Sequence, residues 1–298
     1  MPRFMYLFIL GVLLLVSCGQ TATPSSNTPA PATSVVPVFA FSEAVVGPNR
    51  IALGILNNGT PLNDPNVKVH LSFFNLDEQS PEVKFETDAH YFGQGLPLGF
   101  YVAYPTFDKP GNWGIDVQTQ LPGQSAPNSA KMRLEVKAES TMPNVGQPAK
   151  KIKTPTIADT PEEQLSSGQP INPAMYQISL DDAIDSGKPT AVLFGTPAFC
   201  STATCGPSLN VLGELQKTYG DRMNFVHIEV YKYPFSESAG TGTLSEPMLS
   251  WGLRTEPWLF LIDSKGIIAA RYEGGITTEE ISPALDKLIA GEAIVFGS

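Results

Sequence analysis

The chain has 298 residues, 42% of them hydrophobic and only 16% charged, which is enough apolar material for two ordinary domains with connecting segments. Its formal net charge of −10 and the lack of a Lys/Arg cluster argue against a nucleic-acid partner. Three cysteines make an awkward odd number for an exported chain, and Cys18 stands far from Cys200 and Cys205.

Met1–Gln20 carries Arg3 and then an apolar run from Phe4 to Val16. The run is short for a membrane span, which takes about 20 apolar residues, and it reads instead as an export signal over residues 1–17. Its end, Leu15-Val16-Ser17-Cys18, resembles the bacterial lipobox. That resemblance implies that Cys18 is lipidated, becomes the mature N-terminus and anchors the chain at a bacterial membrane, outside the cytoplasm. An uncleaved anchor or an ordinary signal peptide is the other reading. Cys200 and Cys205 are then left as an even pair in an oxidising compartment. Residues 18–37 are rich in Thr, Ser, Pro and Ala without periodicity, and read as a flexible tether.

Residues 38–138 read as an all-β domain. Val67, Val69, Leu71 and Phe73 alternate with Lys68, His70, Ser72 and Phe74, the period of a half-buried strand. Ser129–Ala138 alternates in the same way, and Arg50–Leu56, Gly99–Phe107 and Asn112–Leu121 are further strands. Short strands at this spacing suggest an immunoglobulin-like sandwich. His70 lies on the polar face of its strand and reads as a solvated residue, since metal sites need several converging ligands. The aromatic residues Tyr91, Phe92, Phe100, Tyr101 and Tyr104 read as core and turn packing.

Residues 139–172 hold many prolines, a short basic patch at Lys150, Lys151 and Lys153, and no apolar period, so a solvated linker is expected. Residues 173–298 read as an α/β domain. Ser179 can cap a short helix from Leu180, and Ala191–Phe194 is a buried strand. A helix is expected over Pro207–Tyr219, a strand over Met223–Val230, a loop over Tyr231–Thr243 and a short helix over Ser245–Trp251. Pro257–Ile262 and Ile267–Tyr272 form a hairpin across Asp263-Ser264-Lys265-Gly266, and Thr277 or Thr278 caps a closing helix. His227, alone in its strand, reads as a packed residue outside any site.

The stretch Leu193–Pro207 carries the chemistry. A buried strand breaks at Gly195 and Pro197, delivers Cys200 and Cys205, and opens a helix with Gly206 and Pro207. Unpaired N–H groups and the positive end of a helix dipole lower a thiol pKa at such a place. Five positions apart on one helix, the two cysteines could not be bridged, so a disulfide requires Ser201–Thr204 to turn.

This stretch resembles the active-site segment of thioredoxin-like proteins, where a buried strand ends in an aromatic-Cys pair followed by a helix. Trp251–Gly266 resembles that family's cis-proline loop, next strand and hairpin, with Pro257 at the matching position. The likeness covers roughly Tyr176–Ala290 and implies a thioredoxin-like fold. The departures are four residues between the cysteines where the family has two, and no acid in Ala191–Phe194. In a second register, Cys205-Gly206-Pro207-Ser208 matches the family's Cys-Gly-Pro-Cys, with Ser208 in the resolving position. Cys-x4-Cys also resembles one peroxiredoxin group, but that group's Thr and Pro positions hold Pro197 and Leu193 here.

The resemblance implies a membrane-anchored, extracytoplasmic thiol–disulfide oxidoreductase acting on protein thiols and disulfides. Cys200 attacks, Cys205 resolves, Pro257 shapes the client groove, and no cofactor or metal is required. The runner-up is a non-catalytic binding or scaffold lipoprotein with Cys200–Cys205 as a structural disulfide. A peroxidase or metal carrier comes last, since no histidine follows His227.

Overall fold

Alternating burial builds the first half of the molecule, which a computed structural model describes over residues 34–295. Residues 1–17, Cys18 and most of the expected tether lie outside the described residues. The strands are β1 (Val35–Phe39), β2 (Ala44–Val45), β3 (Gly47–Pro48), β4 (Ile51–Asn57), β5 (Thr60–Pro61), β6 (Lys68–Asn75), β7 (Val83–Phe92), β8 (Phe100–Ala103), β9 (Thr106–Phe107), β10 (Gly111–Gln120) and β11 (Asn128–Lys137). Nine of them form one sheet in the order β1-β4-β8-β7-β6-β10-β11-β2, with β5 added to β4.

β7 was not expected, because Lys84, Glu86 and Asp88 interrupt its apolar character. It joins the two halves of the sheet: Val83–Ala89 pair with β6, and His90–Phe92 pair with β8. Residues from both halves then share one core. Ile51, Leu53 and Ile55 meet Val69, Leu71, Phe73, Ile115 and Val117. Trp113, fully buried, packs 5.0 Å from Phe107 and 5.7 Å from Phe85. Each such side chain contributes about 1.5–3 kcal/mol by leaving water, and no cysteine supplements this core. β1 begins at Val35, inside the expected tether, where Val35↔Asn57 through Phe39↔Leu53 pair antiparallel with β4. His70 is partnered rather than merely solvated: Nδ1 lies 2.7 Å from Asp88.

The second half contains α1 (Leu180–Asp185), β12 (Thr190–Phe194), α2 (Cys205–Tyr219), β13 (Asn224–Ile228), α3 (Phe235–Thr241), α4 (Glu246–Trp251), β14 (Trp258–Ile262), β15 (Ile268–Glu273) and α5 (Thr278–Ala290). Its sheet runs β13-β12-β14-β15, with β12 parallel to β13 and antiparallel to β14. This is a thioredoxin-like arrangement. β12 is buried on both faces, which explains its unbroken apolar run: Ala191 and Leu193 meet α2 and α5, while Val192 and Phe194 meet α1 and α4. α3 replaces an expected loop. It is bounded by Pro234 and a left-handed Gly242, and buries only Phe235 and Ser238, so it carries no readable apolar period. Among the described residues no helix is long and apolar enough to cross a membrane.

Residues 139–172 were expected as a solvated linker and are not. Gly146 N–H donates to Ile268, Ile268 N–H to Gln147, and Ala149 N–H to Gly266, so this stretch extends the edge of β15. Met142, Ala149 and Leu165 are buried against the second half. The segment holds itself by backbone bonds and scattered apolar anchors, which leave no periodic signature.

The two halves are joined by buried ion pairs. Arg50, from the first half, donates to both carboxylate oxygens of Glu280 at 2.6 and 2.9 Å, and to the carbonyls of Glu273 and Gly275. Tyr104 OH donates to the same carboxylate at 2.7 Å. Glu43 meets Arg271 and Lys137, each at 3.3 Å, and accepts from Ser140 and Thr141.

Two fragments test the role of the ordered segment, since both lack Arg50 and differ only in residues 139–171. A chain starting at Glu139 is expected to be more stable in urea than one starting at Asn172 by about 3–5 kcal/mol, from burial of Met142, Ala149 and Leu165. Equal unfolding free energies would contradict the packing described.

Candidate redox site

The ladder of β12 continues one residue past Phe194, where Gly195 N–H donates to Ile228 at 3.0 Å. The chain then turns twice: Phe199 N–H donates to Thr196, and Ala203 N–H donates to Cys200. Ala203 has φ of 58°, a left-handed conformation that costs a residue with a Cβ about 1–2 kcal/mol. This reversal brings the Cα of Cys200 to 5.9 Å from that of Cys205, and the two are disulfide-bonded. The turn required of Ser201–Thr204 is therefore present.

α2 starts at Cys205, two residues before the expected Pro207. Cys205 N–H is thus one of the first free amides of the helix, and it donates to Cys200 Sγ at 3.2 Å. Thr202 Oγ1 lies 3.3 Å from the same sulfur. Cys205 is fully buried, whereas Cys200 is partly exposed. Ser208, the resolving position of the second register, is buried, and its hydroxyl accepts from Ile276 N–H at 3.4 Å.

Gly195 marks where the site converges. A methyl group placed on its Cα would lie 3.5 Å from Cys205 Cβ, 3.8 Å from Pro257 Cβ and 3.9 Å from His227 Nε2. Pro257, preceded by a cis peptide bond, sits just before β14. The residue ahead of it, Glu256, accepts from Ser201 N–H at 3.3 Å and from Ser201 Oγ at 3.0 Å, so the cis-proline loop reaches the turn between the cysteines.

The structure adds residues that the sequence reading left out. His227 is buried; its Nε2 donates to the Gly195 carbonyl at 3.0 Å, and its Nδ1 accepts from Tyr176 OH at 2.6 Å. Burial without a countercharge holds its pKa down to about 4. Glu229 lies two residues on, just past the end of β13, and only 7% of it is exposed. Burial raises its pKa, against hydrogen bonds from Ser167, Thr196 and Val230. The acid absent from β12 is therefore present beside it. A cleft of about 690 Å³ is lined in part by Tyr176, His227 and Glu229, and neither cysteine lines it. The available signal was two ionisable residues at i and i+2 within an apolar stretch, a costly placement unless both are bonded. Among the described residues no group of three or more His, Cys, Asp or Glu is placed to hold a metal ion.

No family model matches the chain, and no curated protein matches it. Solved structures resemble it. A protein of Chlorobium tepidum described as a thiol:disulfide interchange protein DsbE is 16% identical, with a TM-score of 0.34, covering 50% of this chain and 97% of its own. A thioredoxin-family thiol:disulfide interchange protein of Chlorobium tepidum TLS is 16% identical, with a TM-score of 0.32, covering 51% and 99%. At these scores neither bears on activity; the thioredoxin-like arrangement is read from the strand order above.

The buried imidazole sets a pH dependence. Unfolded, a histidine takes up its proton near pH 6.5; folded, His227 does so only near pH 4. The unfolded chain binds more protons between those values, so stability is lost as pH falls through that window. Between pH 7 and 4.5, wild type should lose about 2 kcal/mol more than His227→Gln, measured by urea unfolding at each pH. Parallel losses in the two proteins would contradict the buried, neutral imidazole.

Proposed function

We propose that the chain is an extracytoplasmic thiol–disulfide oxidoreductase in which Cys200 attacks and Cys205 resolves. The observation that carries this reading is the asymmetry of the pair. Cys200 is partly exposed and its sulfur receives a helix N-terminal N–H, while Cys205 is fully buried against Gly195. A thiolate at Cys200 is stabilised by that amide and by the helix dipole, and a client disulfide can reach it.

In the reducing direction, the Cys200 thiolate attacks one client sulfur, and the other leaves as a thiolate that takes up a proton. Cys205, deprotonated, then attacks the Cys200 sulfur of the mixed disulfide. The Cys200–Cys205 bond forms, and the second client sulfur leaves as a thiolate and takes up the proton that Cys205 gave up. Two electrons pass from the dithiol to the client, and the oxidising direction runs through the same intermediate in reverse. Pro257 shapes the groove beside the pair.

Membrane anchoring through lipidated Cys18 belongs to the same proposal and is supported by the Leu-Val-Ser-Cys pattern. The immunoglobulin-like character of the β half and the division at residues 38–138, 139–172 and 173–298 are likewise proposals. A second reading, a structural disulfide in a scaffold protein, is favoured by the four residues between the cysteines, where the thioredoxin-like pattern has two.

The test is trapping of mixed disulfides in cells. Cys205→Ser should accumulate client adducts in the membrane fraction, Cys200→Ser should accumulate none, and Cys18→Ser should leave the precursor unlipidated and often uncleaved. A reversed pattern would make Cys205 the nucleophile, and no adduct with either variant would favour the scaffold reading. A Cys18→Ser chain that is processed as the wild type is and still partitions to membranes would overturn the anchor alone.

A further inference from the structure

The interdomain segment reaches the redox loop itself. Ser167 N–H donates to Glu229 Oε2 at 2.8 Å, and Ala198 N–H donates to Ser167 Oγ at 3.2 Å. The hydroxyls of Ser167 and Thr196 lie 3.3 Å apart. Thr196 is fully buried, and so, nearly, is Ser166, whose hydroxyl accepts from Gly168 N–H. A Cβ on Gly168 would come within 2.7 Å of Pro197 Cβ, so the segment approaches the loop as closely as its backbone permits.

The buried carboxylate of Glu229 is compensated by hydrogen-bond donors from Ser167, Thr196 and Val230. Such an acid is expensive to keep unless its bonds hold something in place. What it holds is Ser167, and what Ser167 holds is the amide of Ala198, two residues before Cys200.

We propose that Glu229 and Ser167 are positioning residues of the redox site, which fix the loop Gly195–Phe199 so that the Cys200 sulfur stays on the Cys205 amide. The proposal rests on the reading of the pair as redox-active. Residues 166–168, outside the thioredoxin-like half as the sequence divides it, then form a working part of its site. Loss of the Ser167 hydroxyl frees the Ala198 amide, lets the loop drift, and weakens the one N–H contact that favours the Cys200 thiolate.

The test uses the reduced full-length chain and reads the rate of iodoacetamide alkylation of Cys200 as a function of pH. Ser167→Ala should slow alkylation about tenfold at pH 7 and raise the pH midpoint by about one unit. Ser167→Thr, which keeps the hydroxyl, should restore the rate to within about twofold. Glu229→Gln, which retains only one acceptor oxygen, should slow it about threefold. Met142→Ala loosens the same segment without touching the loop and should leave rate and midpoint at the wild-type values. Wild-type behaviour in both Ser167→Ala and Glu229→Gln overturns the proposal. So does an equal loss in Met142→Ala, which would make the contacts merely structural. A wild-type chain whose thiols do not alkylate overturns the redox reading and this proposal with it, and the wild-type measurement separates that case from the others.

Discussion

The first amides of a helix have no partner within it, and Cys205 N–H is one of them in α2. Its acceptor is the sulfur of Cys200 at 3.2 Å, a contact that exists only because the chain reverses at Ala203. Without that reversal, four intervening residues would carry Cys200 away from the helix and leave the dipole acting on Cys205 alone. The left-handed alanine is thus the local cost of bringing the sulfur of the more exposed cysteine to the positive end of the helix, beside Cys205. The chemistry assigned to the pair follows from which sulfur occupies that position.

The surroundings are arranged to keep the loop there. β12 and β13 supply the floor, with His227 bonded to the Gly195 carbonyl and Glu229 gathering Ser167 and Thr196. Tyr176 links His227 to the short helical turn Pro173–Tyr176 that follows residues 139–172. That segment is itself pinned along β15, and β15 and α5 carry the groups that receive Arg50 and Glu43 from the β half. Arg50 and Glu280 expose 4% and 2% of their side chains, so each depends on the other for compensation. Removing one partner from such a pair costs about 3–5 kcal/mol, far more than a surface pair. The contacts therefore run without a break from the β half, through residues 139–172, to the loop beneath the cysteines.

The cysteines, Pro257 and the strand order were legible because each is written locally: an apolar run, a break, a helix start, a proline before another apolar run. The hairpin and Thr277 were legible for the same reason, and Thr277 does accept from Glu280 N–H. The order of residues 139–172 was not, because it arises from bonds to β15 and from isolated anchors such as Leu165, which no periodicity announces. β7 was hidden by its alternating charges, and α3 by a face with only two buried residues. The place of His227 in the site is not legible locally, since it depends on its neighbours Gly195 and Tyr176, more than thirty residues away in sequence. Glu229 is illegible for a similar reason, since its donors Ser167 and Thr196 lie more than thirty residues earlier in the chain. A polar pair at i and i+2 in a buried apolar stretch, such as His227 and Glu229 at the end of β13, needs bonding partners from elsewhere in the fold.

The central claim is that Cys200–Cys205 is an exchangeable pair, and its equilibrium reduction potential tests this most directly. Measured on the intact chain against a series of thiol–disulfide buffers, the potential should lie clearly above about −300 mV, in the range of bonds that are made and broken in exchange. A potential below about −300 mV would mark a bond that resists reduction, and would make the pair a structural brace.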